Sequence, residues 1–344
     1  MVEVGGLERA GAYVDALLGE LEHEQARLGR LETVYLGGGT PTLVGAELRA
    51  RLLGAVRPHL AAGAEVTVEA NPETVDDALL GALVEAGATR ISIGAQSLRP
   101  HVLRALDRRA GPEAVRSAVR RARAAGFRSV SMDLLFAVPG QGAGDLAADL
   151  AEVLELRPDH VSWYELELKP GSALAARGIE PVDEDLAADA YRGLVSAFEG
   201  AGYEWYETAN FALPGHRCRH SLAYWGAADY LGIGVGAVST VDGLRWRNAP
   251  GVDAYLAAAG AGRPPRRSLE RLDPDTRRRE RWMLALRTAG PVDAAWAGRL
   301  DRPERLGALE EIGLVRRVAG GIELTREGRF VQNAVLGELM EYAS

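Results

Sequence analysis

The chain has 344 residues, a formal net charge of −8, 47% hydrophobic and 26% charged residues, 41 glycines and one cysteine, Cys218. The acidic balance argues against broad binding to nucleic acid or to an anionic membrane, and a single cysteine excludes internal disulfides and any cluster held by several thiolates of this chain. No stretch reaches the roughly 20 apolar residues that span a bilayer, and the N-terminus lacks the basic region of a secretory signal, so a cytoplasmic protein is expected.

In chain order, apolar residues recur at helical spacing from Leu7 (Ala10, Val14, Leu17, Leu18, Leu21), predicting one amphipathic helix over residues 7–31. Five short β-rich runs follow: TVYLGGGTPT, then runs from Val66 (VTVEANPE), Ile91 (ISIGAQSL), Val130 (VSMDLLFAVPG) and Val161 (VSWYELELKPG). Alanine- and leucine-rich stretches such as EAVRSAVRRARAAG separate them. Apolar strands about thirty residues apart with a helix between them are repeated βαβ units, which build a parallel sheet in an α/β fold. A helix before the first strand is an odd opening for a β/α barrel, which begins with a strand.

Residues 171–247 are less regular, and the segment from Leu269 to the end reads as a small helical domain with a hairpin. There RLGALEEIGLV and RVAGGIELTREG fit a helix, a turn and two strands, as in a winged helix. The acidic tail GELMEYAS favours packing over DNA contact for this unit. The organisation expected is a barrel core over 1–170, a completing region over 171–265 and the small α+β domain over 266–344.

Three residues of possible chemistry stand amid apolar neighbours in successive βαβ units: Glu69, Gln96 and Asp133. Strand-end placement would aim all three at one ligand, because parallel sheets bind at their C-terminal edge. Gly37, Gly38 and Gly39, before Thr40, allow positive φ and close approach of the backbone to a ligand, although three glycines alone also make a tight turn. Arg108 follows the third of these strands as a fork of donors for a carboxylate, and its neighbour Arg109 fits as well by charge alone. His216, Cys218 and His220 alternate, yet their spacing matches no common structural zinc pattern. His220, in HSLAYW, has the flat apolar neighbours that a haem ring would want, although the residues alone favour a histidine satisfied in the core or at the surface.

Together and in this order, these segments resemble the radical S-adenosylmethionine (radical-SAM) family of oxygen-independent coproporphyrinogen oxidases and haem chaperones of the HemW type. The likeness runs over nearly the whole chain and includes PGSALAARG and YETANFA. It implies an open, partial β/α barrel with a winged-helix-like C-terminal domain. It also implies Gly38, Gly39, Thr40, Glu69, Gln96, Arg108 and Asp133 as contacts of S-adenosylmethionine. HSLAYW is similar to the motif that separates haem chaperones from the oxidases, and so implies His220 as a haem ligand. Ser221, Val235 and Val238 depart from the family pattern, where Asn, Pro and His are usual.

Family members begin with a strand and a Cys-x-x-x-Cys-x-x-Cys loop that holds a four-iron four-sulfur cluster. This sequence opens at the helix expected after that loop. The expectation is therefore a first strand missing with its cysteines, through a misplaced start, with a cluster-less paralogue as the alternative. The edge left by that strand should be the GGGTPT run. The function implied is haem binding and transfer to haem-acceptor proteins, with any peripheral membrane association coming through those acceptors and with no nucleic-acid partner. The second reading is an oxidase-like radical-SAM enzyme of porphyrin biosynthesis.

Overall fold

The computed structural model describes residues 7–38, 42, 44–168, 174, 181–293, 302–319 and 321–340. Its centre is a seven-stranded, curled sheet in the order β1-β2-β3-β4-β5-β7-β6. Strands β1 (Leu31–Leu36), β2 (Leu60–Ala70), β3 (Arg90–Gln96), β4 (Ser129–Phe136) and β5 (His160–Glu165) run parallel. The five expected strands are present, but the sheet is not wholly parallel. Strands β6 (Glu204–Trp205) and β7 (Asn210–Ala212) close its far side as antiparallel partners, from the irregular-looking segment YETANFA and the residues before it.

Helices α2 (Ala46–Val56), α3 (Asp77–Glu85), α5 (Pro112–Ala124) and α6 (Ala143–Leu156) fill the crossovers, with the short α4 (Pro100–Ala105) before α5 and α7 (Glu184–Gly200) between β5 and β6. The middle stretches of β2, β3 and β4 alternate between apolar and polar residues. Val66, Val68, Ile91, Ile93, Val130 and Met132 are buried in the main core, while Thr67, Ser92 and Ser131 between them are equally buried but polar. Fully covered parallel strands usually read as continuous apolar runs. Here only the outer face packs on helices, and the inner face lines the barrel with polar groups.

The predicted opening helix is shorter than expected. Helix α1 (Leu7–His23) ends where the apolar positions end, a single 3-10 turn spans Gln25–Arg27, and Leu31 is the first residue of β1. Buried Glu20 anchors α1 by accepting hydrogen bonds from the Gly234 N–H at 2.9 Å, Asn248 Nδ2 at 2.6 Å and the Tyr255 hydroxyl at 2.6 Å. Gly234 lies in the loop before a second sheet not foreseen in the sequence, made of β8 (Val238–Val241), β9 (Leu244–Asn248) and β10 (Arg266–Arg271); Asn248 ends β9, and Tyr255 is on α9 (Val252–Gly260). At the other end, β1 pairs with β2 only among the described residues, which makes it the sheet edge.

The C-terminal part has its own apolar cluster around Trp282, Leu309, Ile322 and Leu336. Its hairpin, β12 (Val315–Val318) with β13 (Gly321–Leu324), matches the winged pattern, and β11 (Val292–Asp293) adds a third strand. The segment PGSALAARG lies outside the described residues except Leu174. No helix among the described residues is long and apolar enough to cross a membrane.

One buried carboxylate fixes the loop after β3. Asp149, on α6 and fully buried, accepts from Ser97 Oγ at 2.5 Å, the Leu98 N–H at 2.9 Å and Arg99 Nε at 2.9 Å. Truncating it strands three donors, a loss of the order of 3–5 kcal/mol for a broken buried charge pair. Chemical denaturation of Asp149→Ala should show a deficit of that size; a change below about 1 kcal/mol would mean that water replaces the carboxylate.

Candidate functional site

The inner face of the sheet places its polar side chains in rows. By strand register Glu69, Ser92, Ser131 and His160 lie side by side, with Tyr35, Thr67, Arg90 and Ser129 in the row on one side of them and Gly94, Asp133 and Ser162 in the row on the other. Tyr35, Glu69, Arg90, Asp133, Cys218 and Ser221 are among the walls of a polar cavity of about 140 Å³. Outside it, α1, β1, the short helix α8 (Arg219–Trp225) and the loop from Ala228 to Val235 border a cleft of about 1,720 Å³ with mainly apolar walls.

Glu69 accepts from the Tyr35 hydroxyl at 2.9 Å and from the Gly38 N–H at 3.2 Å. Burial nevertheless lifts its carboxyl above the ordinary value, because desolvation outweighs those bonds. The glycines beside it serve different ends. Gly38 has φ +86°, a left-handed backbone that glycine adopts freely, whereas a Cβ on Gly37 would stand 2.8 Å from the Glu69 carboxyl carbon. Gly39 and Thr40 lie outside the described residues.

Asp133 is not at a strand end. It sits mid-strand on β4, between Gly94 and Ser162, with both carboxylate oxygens on Ser92 Oγ at 2.8 and 2.9 Å. Burial raises it too, with Arg90 opposing. Gln96 does end β3, at φ +65°, a backbone strain that non-glycine residues carry mostly where structure around them imposes it. Arg108 lies half-buried in the turn after α4, away from the cavity walls. The structure thus gathers Glu69 and Asp133 around one cavity, with Gly38 bonded to Glu69 from the wall of the outer cleft, Gln96 at the C-terminal end of β3 and Arg108 apart.

A second set of residues holds His220. The Glu65 carboxylate, on the inner face of β2, accepts from the backbone N–H groups of Arg219 and His220 at 3.0 Å each and from Cys218 Sγ at 3.5 Å. It caps the first turn of α8 as a negative charge at a helix N-terminus should. The His220 ring stacks on Tyr35 with centroids 5.1 Å apart, meets Tyr224 edge-on, and has Nδ1 2.9 Å from Thr33 Oγ1. Desolvation holds this imidazole below the ordinary histidine value against the pull of Glu65, so it is neutral near pH 7. His220 borders the cleft, while Cys218 borders the cavity with its thiol raised by burial. His216 stands apart from both linings, and the described residues contain no group of three or more histidine, cysteine or acidic side chains that could hold a metal ion.

Behind Cys218 lies a chain of polar contacts that sequence reasoning missed. Arg90 donates to His160 Nδ1 at 3.1 Å, and an arginine can only donate, so Nδ1 is unprotonated. Nε2 then carries the proton and donates to the Tyr206 hydroxyl at 2.7 Å, which also accepts the Cys218 N–H at 3.2 Å. The signal for Thr33, Glu65, Arg90 and His160 was available as the two-residue alternation inside each apolar run, in EVTVE, RISIG and HVSWY.

The radical SAM superfamily model matches residues 11–153. The chain is 36% identical over 346 residues to the haem chaperone HemW of Mycobacterium tuberculosis (strain H37Rv), covering 98% of this chain and 88% of that one. HemW of Bacillus subtilis (strain 168) is 30% identical over 346 residues, 95% and 91% of the two chains. The chain belongs to the HemW family of radical-SAM proteins. The fold agrees: the Escherichia coli coproporphyrinogen III oxidase HemN, described as a radical SAM enzyme, superposes with a TM-score of 0.85 at 24% identity, over 98% of this chain and 85% of that one. Within this HemW-family barrel, His220, Glu69 and the polar interior are therefore the parts to test.

His160 offers a first test of that interior. Burial, reinforced by Arg90, holds it well below its ordinary value near 6.5. Below that pH the unfolded chain takes up a proton that the folded one refuses, so stability falls as pH drops. The wild-type slope should exceed that of His160→Gln by up to about 1.4 kcal/mol per pH unit in this range, read from denaturant unfolding at stepped pH. Equal slopes would show that His160 is protonated in the fold.

Proposed function

We propose that the chain binds haem through His220 and passes it to haem-acceptor proteins, with S-adenosylmethionine held at the C-terminal edge of the barrel. The observation that carries this reading is the placement of His220. It is a neutral imidazole, fixed on one side by Thr33 and Tyr35, on the wall of a cleft with apolar sides and far more room than a side chain needs. Neutral imidazole is the form that ligates haem iron, and apolar walls suit the face of a porphyrin. HemW is the name of its relatives in six bacteria with 30–39% identity.

S-adenosylmethionine fits the other set. Its ammonium and sulfonium are cations, and Glu69 and Asp133 are carboxylates raised by burial, which gain most from a cation brought beside them. The tight passage at Gly37 keeps the backbone close enough to Glu69 for a ligand to meet both. The donor set does not fit a four-iron four-sulfur cluster. Cys218 is the one cysteine of this sequence, its thiol donates to Glu65, and such clusters take several thiolates. The oxidase reading, which depends on that cluster, draws no support from these residues.

Haem titrated into the purified protein should give a Soret band of bound haem. His220→Ala should weaken that binding by more than about tenfold; undiminished binding would remove the role. Separately, Glu69→Ala should weaken S-adenosylmethionine by about 2 kcal/mol or more, roughly thirtyfold, in calorimetric titration. Equal affinity in that variant would place the ligand elsewhere.

A further inference from the structure

We propose that Thr33 is the positioning residue for His220: its hydroxyl accepts the Nδ1 proton, turns the ring one way, and leaves the Nε2 lone pair for the haem iron. The inference rests on His220 being the ligand, and goes beyond it by naming what orients the ring.

Four residues hold His220, and their contacts are not equivalent. Glu65 holds only the backbone of the first turn of α8, through the N–H groups of Arg219 and His220. That sets where the side chain starts and not how its ring is turned. Tyr35 lies under the ring at 26° between planes, and Tyr224 meets it at 74°. Stacking of that kind fixes the plane. It does not distinguish a ring from the same ring flipped by 180°, which exchanges Nδ1 with a carbon and moves Nε2 to the opposite edge.

Only the Thr33 contact tells the two apart. Thr33 Oγ1 stands 2.9 Å from Nδ1, and the flipped ring would put a carbon against the hydroxyl. Thr33 is on the inner face of β1, whose backbone is tied to β2 through the register Thr33↔Glu65. The same pair of strands therefore sets both the backbone of His220, through Glu65, and its ring, through Thr33. Nε2 makes no hydrogen bond among the described residues, and the ring borders the cleft. A ligating histidine generally donates its other N–H to a fixed acceptor, which selects the tautomer and makes the ligating nitrogen more basic. The hydroxyl of Thr33 is that acceptor here.

Removing such a partner costs 10- to 100-fold in metal affinity as a rule. The experiment compares wild type, Thr33→Val, Thr33→Ser and His220→Ala by haem titration followed at the Soret band, with the midpoint potential of bound haem as a second readout. Thr33→Val keeps the shape and β-propensity of the strand but removes the hydroxyl. It should bind haem roughly 10- to 100-fold more weakly. Its midpoint potential should be higher, because a histidine without its acceptor donates less electron density to the oxidised iron. Thr33→Ser should restore both to near wild type, which a loss of strand packing would not allow. Thr33→Val within about twofold of wild type, beside loss of binding in His220→Ala, would overturn the positioning role while leaving the ligand in place. The positioning role also fails if Thr33→Ser is as weak as Thr33→Val, or if the potential does not move. Undiminished binding in His220→Ala would overturn the ligand reading and this inference with it.

Discussion

The Glu65 carboxylate is the contact on which the site depends. It stands on the inner face of β2 and gathers the start of α8 onto the sheet by accepting two backbone N–H groups and the Cys218 thiol. Bonds between an ionised acceptor and backbone donors are about twice as strong as neutral ones, so a helix of two turns can be held where its own length would not keep it. Everything that makes His220 useful follows from that attachment. Moving the turn by an ångström would break the Thr33 contact and slide the ring off Tyr35.

Tyr35 joins the two halves of the site. Its ring supports His220, and its hydroxyl donates to Glu69. A side chain with one face on the candidate haem ligand and its tip on the candidate S-adenosylmethionine carboxylate cannot shift for one without being felt at the other. The polar interior makes this arrangement rigid. Arg90 is fully buried, so its charge must be met from within; burial first and Arg90 second hold His160 below its ordinary value, while Asp133 and Glu65 lie near enough to Arg90 to favour its charged form. Its bond to His160, continued through Tyr206, ends at the Cys218 N–H, one residue before α8 begins.

Much of this is legible in the sequence, because βαβ units announce themselves by spacing. The runs from Val66, Ile91, Val130 and Val161 lie where strands are expected, and Glu69 and Asp133 do share one cavity. The hairpin of β6 and β7 is not legible, since strands of two and three residues carry no periodicity to detect. Nor is the length of α1, whose apolar stripe stops at Leu21 before a charged segment that any surface helix could also contain. Polar residues inside the apolar runs, taken singly, look like strand ends aimed at a ligand. Their period of two instead describes a continuous polar wall.

That wall explains why the candidate site is divided as it is. Inner-face residues on neighbouring parallel strands sit side by side, so Glu69 and Asp133, two strands and one inner-face step apart, come close without any loop to separate them. Burial then raises Glu69 and Asp133 together, and the serines of β3, β4 and β5 around Asp133 satisfy its oxygens without adding charge. His220 escapes this environment only because it comes from α8 and crosses the open side of the sheet, where β1 has no further strand beside it among the described residues. A histidine supplied by any of the five parallel strands would share the fate of His160, enclosed and committed to protein partners. The ring that can meet a large apolar ligand has to be brought in from outside the barrel, and holding it there is the task that Glu65 and Thr33 divide between them.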